Sequence, residues 1–148
     1  MSRYYQENRA SFKGFLDLLS VIMKMMETNA SRNDVCDFLY EAGQKLSEQY
    51  PVHVTDSMSF LNLEMNDLLE TLGFGVVTLC DEGDKLKITH RQLPLCSDES
   101  FKDNFLELFS VLLCGVYNGW FKQTGAPAAL NCAVLSLSPE EVVLALKA

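Results

Sequence analysis

Apolar residues recur every three or four positions over most of the first 72 residues, then every second position in two later stretches. The first pattern predicts helices and the second predicts strands. Phe12, Phe15, Leu19, Ile22 and Met26 alternate in steps of three and four, which gives a first helix. Leu16, Leu18, Met23 and Met25 widen its stripe. A stripe this wide on a terminal helix suits burial on two sides, one within the subunit and one against a partner copy. The plainer alternative is a core helix whose methionines fill irregular gaps. Residues 1–10 are polar and carry adjacent Tyr4 and Tyr5; they form either an N-terminal arm or the first turn of this helix.

A second helix starts near Ser31, with Asp34 placed for the helix dipole, and turns Val35, Leu39, Ala42 and Leu46 inward. Tyr50-Pro51-Val52-His53-Val54 is the connection after it, because Pro51 cannot continue a helix. Thr55, Asp56 and Ser57 are all competent caps for a third helix with Leu61, Met65, Leu68 and Leu72 on its apolar side. Gly73 stands where a helix wants a left-handed residue, and Gly75 marks a second sharp point. Val76 to Leu79 and Leu86 to His90 form a hairpin around Glu82-Gly83-Asp84, with Leu86, Ile88 and His90 on its buried face. Ser97-Asp98-Glu99-Ser100 is a helix-start cluster. The helix over 101–123 is apolar on most sides and is expected to be central and buried. Gly115 and Gly119, four apart, predict close approach by a strand or a neighbouring subunit. A second hairpin follows over 128–137 and 142–146; Pro139-Glu140-Glu141 is the alternative start of a short helix. The whole reads as one α+β domain over 1–148: N-terminal helices and a four-stranded antiparallel sheet of two hairpins separated by a buried central helix.

The run Glu64-x-Asn66-x-Leu68-Leu69-x-x-Leu72-Gly73-Phe74-Gly75-x-Val77-Thr78-Leu79, followed by Leu86-x-Ile88-x-His90-x-x-Leu93-Pro94, resembles the bacterial cellulose synthase D-subunit family, the cellulose synthase operon protein D family. The likeness is strongest from Leu63 to Pro94 and continues weakly through Gly115-Val116-Tyr117-Asn118-Gly119-Trp120. It implies a non-catalytic accessory subunit, built from dimers into a cylindrical octamer, that promotes ordered glucan export and crystallisation. It also implies other cellulose synthase subunits, a proline-rich accessory protein and β-1,4-glucan as partners. The N-terminal segment does not match the family residue by residue. Tyr4 and Tyr5 are candidate contacts for glucan or a partner because aromatic faces stack on sugar rings. The order of elements is also similar to small ligand-binding domains in regulators and trafficking-complex subunits. The rival expectation is therefore a small-molecule- or lipid-binding regulatory domain, with an internal cavity lined by Phe, Leu and Cys.

Composition narrows this further. A net charge of −8 argues against nucleic acid and anionic membrane surfaces, which call for clustered Lys and Arg. No stretch is long and apolar enough for a direct membrane insertion, and the polar N-terminus lacks a signal-peptide pattern. Five cysteines without paired short spacing read as free thiols, so the expected site is the cytoplasm near the inner-membrane synthase, with the periplasm as the alternative. Two histidines and no Cys-x-x-Cys give no metal set, and no cofactor fingerprint is present. His90 reads as a structural histidine rather than a base for Cys96. Glu64, Asp67 and Glu70 read as a wet helix face rather than a glycosidase pair. No catalytic residue is assigned.

Overall fold

The computed structural model describes the backbone of residues 3–148 and the side chains from Lys13 onward. Three helices, α1 (Arg3–Asn29), α2 (Arg32–Gln49) and α3 (Met58–Leu72), precede the hairpin β1 (Val76–Asp81) and β2 (Leu86–Arg91). Helix α4 (Lys102–Gln123) then leads into β3 (Asn131–Leu137) and β4 (Glu141–Lys147). The sheet runs β1-β2-β4-β3, and every neighbouring pair is antiparallel. The expected α+β arrangement of two hairpins separated by a helix is the one observed. Helix α1 begins at Arg3, so residues 3–10 lie within its backbone.

Helix α4 is the axis of the core. Phe105, Phe109, Leu113, Tyr117 and Trp120 are all fully buried, and the helix meets α2 on one side and β3 and β4 on another. Trp120 settles its one polar atom by donating Nε1–H to Tyr50 O at the end of α2, at 2.8 Å. Helix α3 buries Leu61, Met65 and Leu69 in a row four residues apart, where periodicity alone favours Leu68 and Leu72.

The caps explain where the helices stop. Ser31 accepts from Asp34 N and Ser57 from Phe60 N, as side-chain caps should. Gly73 ends α3 in the left-handed region at φ 73°. The 97–100 cluster departs from expectation. Helix α4 has Phe101 at its N-cap, without a side-chain cap. Ser97 is instead spent on α1, its N and Oγ both donating to the Asp17 carboxylate at 2.8 and 3.0 Å, while Asp98 divides its carboxylate between Lys24 of α1 and the turn before α4, where Ser100 N donates to it at 3.0 Å. Polar residues that resemble a helix start thus also clasp a second helix. At the second hairpin, Ser138 and Glu141 close the turn, and no short helix forms at 139–141.

Candidate functional site

The two edges of the sheet are treated differently, and this shapes the site. Along β1, the amide of Asn66 on α3 behaves like a strand: Oδ1 accepts from Val77 N at 2.8 Å and Nδ2 donates to Val77 O at 2.9 Å. Asn62, one turn earlier, accepts from Leu79 N at 2.9 Å. Helix α3 therefore closes the β1 edge with side-chain amides. Gly75, at φ 113°, lets the chain turn from α3 into β1; a Cβ there would lie 2.2 Å from Arg91 O.

Asn66 and Gly75 also stand in the wall of a cleft of about 540 Å³ between α1, α3 and the 92–97 loop. Leu16, Leu69, Val76 and Leu95 supply its apolar lining; Lys13, Asp67 and Glu70 supply charge. Asn66, Gly73, Gly75 and Pro94 all line it. Part of the run that carries the family likeness, Asn66, Leu69, Gly73, Gly75 and Pro94, therefore lies on this cleft. A smaller cleft of about 320 Å³ opens beside Ser57 and Leu146.

His90 is fully buried on β2. Its Nε2–H donates to Phe74 O at 2.6 Å, so Nδ1 accepts the Tyr117 hydroxyl at 2.5 Å. Burial pushes His90 down to about 4, partly opposed by the Phe74 carbonyl, and burial pushes the Tyr117 phenol well up. Both ring nitrogens are committed to holding β2, α4 and the α3–β1 turn together. Cys96 is bonded instead to Asp98 O, at 3.8 Å, and makes no pair with His90. Glu64 accepts from His53 N at 2.6 Å and pairs with its ring, which separates it in role from Asp67 and Glu70 at the cleft. Cys132 is hydrogen-bonded to Cys114, which with burial pushes its thiol well up; all five cysteines are free. Asn118 is buried, and neither end of its amide finds a partner among the described residues. Among those residues, no three His, Cys, Asp or Glu side chains gather as metal ligands would.

Helix α1 divides its apolar residues between two sides. Leu16, Leu19, Met23 and Met26 turn toward the core, with Met23 fully buried. Phe15, Leu18, Ile22 and Met25 face outward, 72%, 56%, 44% and 60% exposed. The stripe read from the sequence is therefore split: Phe15 and Ile22 lie on the outer side, while Leu19 and Met26 are half-buried. Asp17 and Lys24 hold the helix from behind through the 97–98 loop. The side chains of Tyr4, Tyr5 and Phe12 lie outside the described residues.

Gly115 and Gly119 face α2 of the same chain, not a strand or a neighbouring subunit. A Cβ on Gly115 would lie 2.0 Å from Tyr40 O, and one on Gly119 would lie 2.0 Å from Ser47 Oγ. The residues opposite, Gly43 and Ser47, are also four apart. That matched spacing was the signal available in the sequence. The clasp between Asp17 and Ser97 left no such signal, because 80 residues separate them.

A family model for the cellulose synthase D subunit matches residues 1–147. No curated protein matches the chain. Among solved structures, trafficking protein particle complex subunit 3 from Naegleria fowleri, covalently bound to palmitic acid, is similar with a TM-score of 0.58. It is 12% identical, over 91% of this chain and 95% of that one, a likeness of fold alone. No described helix is long and apolar enough to cross a membrane.

Proposed function

This chain belongs to the cellulose synthase D-subunit family, an accessory component in cellulose synthesis, and we propose that it serves there as a non-catalytic scaffold assembled from copies of itself. The observation that carries this reading is the outer side of α1. Phe15, Leu18, Ile22 and Met25 recur at steps of three, four and three, exposed, on a helix already anchored along its other side. A two-stranded seam has this spacing. Paired α1 helices give a dimer, and dimers joined by a second contact give the octamer. Such a body, held on the cytoplasmic side near the inner-membrane synthase by other synthase subunits and a proline-rich accessory protein, would align glucan export and favour crystallisation. The start of α1, which carries Tyr4 and Tyr5, is where we place contact with β-1,4-glucan.

The rival reading, a small-molecule- or lipid-binding regulatory domain, expects an internal cavity walled by Phe, Leu and Cys. The larger cleft instead brings Lys13, Asp67 and Glu70 to its lining, with no cysteine among the described residues. The scaffold reading is tested by replacing the chain in cellulose-producing cells with Leu18→Glu, a change at an exposed position. Glucose polymerisation is expected to continue while the crystallinity of the secreted cellulose falls. Unaltered crystallinity with a disrupted assembly would contradict the scaffold role. Loss of polymerisation in a purified synthase on removing this protein would contradict the non-catalytic role.

A further inference from the structure

The sheet has one edge closed by asparagines and one edge left open. Strand β3 is the outer strand beyond β4, and its exposed residues run from Ala133 to Leu137. In an antiparallel ladder, alternate residues turn both N–H and C=O away from the neighbouring strand, so β3 presents unpaired backbone groups outward. Natural proteins blunt such an edge with lysine, proline or a cover. Asn62 and Asn66 supply the cover at β1. At β3, among the described residues, none of these devices is present within the strand beyond a bulge between Val134 and Ser136. Residues 124–139 contain no charged side chain, in a chain where 22% of residues are charged. Val134, Leu135 and Leu137 are 36%, 45% and 36% exposed.

We propose that the β3 edge pairs antiparallel with the β3 edge of a second copy, joining two four-stranded sheets into one across a twofold axis. The choice of occupant follows from charge and symmetry. At a net charge of −8 two copies repel, but salt confines that repulsion to charges within about 10 Å of each other, so the uncharged 124–139 run is a surface where copies can meet without setting like charges side by side. An antiparallel pair of identical strands is self-complementary, as a twofold contact requires. The contact is separate from the outer side of α1; it rests on the reading of a body assembled from copies, and its test involves no glucan, no synthase and no change in α1.

The test uses the purified full-length chain. Hydrogen exchange of the outward-facing β3 amides is expected to be slowed at least tenfold at high concentration and to speed up on dilution. Leu135→Lys, at an exposed position, is expected to keep the circular dichroism of the parent, restore fast exchange at those amides and lower the solution mass at least twofold. Outward amides that exchange at solvent rates at every concentration would overturn the proposal, and so would a folded Leu135→Lys protein of unchanged mass. Occupation of the edge by some other protein would produce those same two results.

Discussion

Gly43 of α2 and Gly115 of α4 meet at the crossing of the two helices. A Cβ on Gly43 would lie 3.0 Å from Gly115 Cα and 2.1 Å from Leu112 O. Glycine costs a helix about 0.8–1.0 kcal/mol relative to alanine, so its recurrence on both helices reflects backbone contact rather than local preference. The atoms that a new methyl would strike at Gly115 are backbone atoms of α2, Tyr40 O and Gln44 N. Gly115→Ala is therefore expected to lower stability by about 1–3 kcal/mol, read from urea unfolding, despite the gain in helix propensity. A higher melting temperature would remove the close-contact account.

Gly119 provides a graded comparison. Its added methyl meets the side chain of Ser47, while the nearest backbone atom, Gln44 O, stays 3.5 Å away. Gly119→Ala should cost less than Gly115→Ala, and Ser47→Gly should recover part of the loss. The coupling between the two sites, measured by a double-mutant cycle, is expected at about 0.5–3 kcal/mol. Simple additivity would contradict it.

Position 43 also marks what the sequence could and could not convey. Periodicity located every helix, and glycine placement located the α3 stop and the first turn, because those are local choices of backbone. The closeness of Gly115 and Gly119 to something was legible; spacing along one helix does not say which element crosses it, and only the matching spacing of Gly43 and Ser47 pointed to α2. Ser97 and Asp98 had the composition of a cap and also bind α1, a decision made by tertiary contact. The division of α1 into Met23 and Leu18 sides was equally hidden. Both sides are apolar, so hydrophobicity alone gives no way to tell the core side from the exposed side.

His90 sets a pH dependence. Its folded value of about 4 lies below the ordinary histidine value of 6.5, so between them the unfolded chain binds a proton that the native chain does not. Stability is then fully present above pH 6.5 and falls as pH drops toward 4. Each pH unit between the two values is worth about 1.4 kcal/mol, and the whole loss amounts to about 3 kcal/mol. Asp98, held down to about 2 chiefly by its hydrogen bond to Lys24, acts in a lower window: its contribution is present above the ordinary 3.8 and is lost as pH falls toward 2. Urea unfolding from pH 7 to 4 should show the first slope in the parent and lose it in His90→Gln. An equal slope in both would assign the effect elsewhere.

Asn66 closes the β1 edge with one donor and one acceptor. Asn66→Ala leaves Val77 N–H and C=O without those partners, and the expected cost is about 1–3 kcal/mol. Asn66→Asp keeps the acceptor but sets a carboxylate against Val77 O, so it should be no better tolerated at neutral pH and should improve on acidification. Exchange of the Val77 amide is expected to speed up in the alanine variant before global unfolding. Unchanged exchange there would show that Asn66 does not guard the edge.

The central claim is that the outer side of α1 holds copies of this chain together. Light scattering of the purified protein at micromolar concentration, with and without Leu18→Glu, tests it most directly. The parent is expected at a multiple of the 16.6 kDa chain mass, and the variant at a smaller multiple with the same helix content and melting behaviour. A parent that scatters as a single chain, or a folded variant of undiminished mass, would contradict the account.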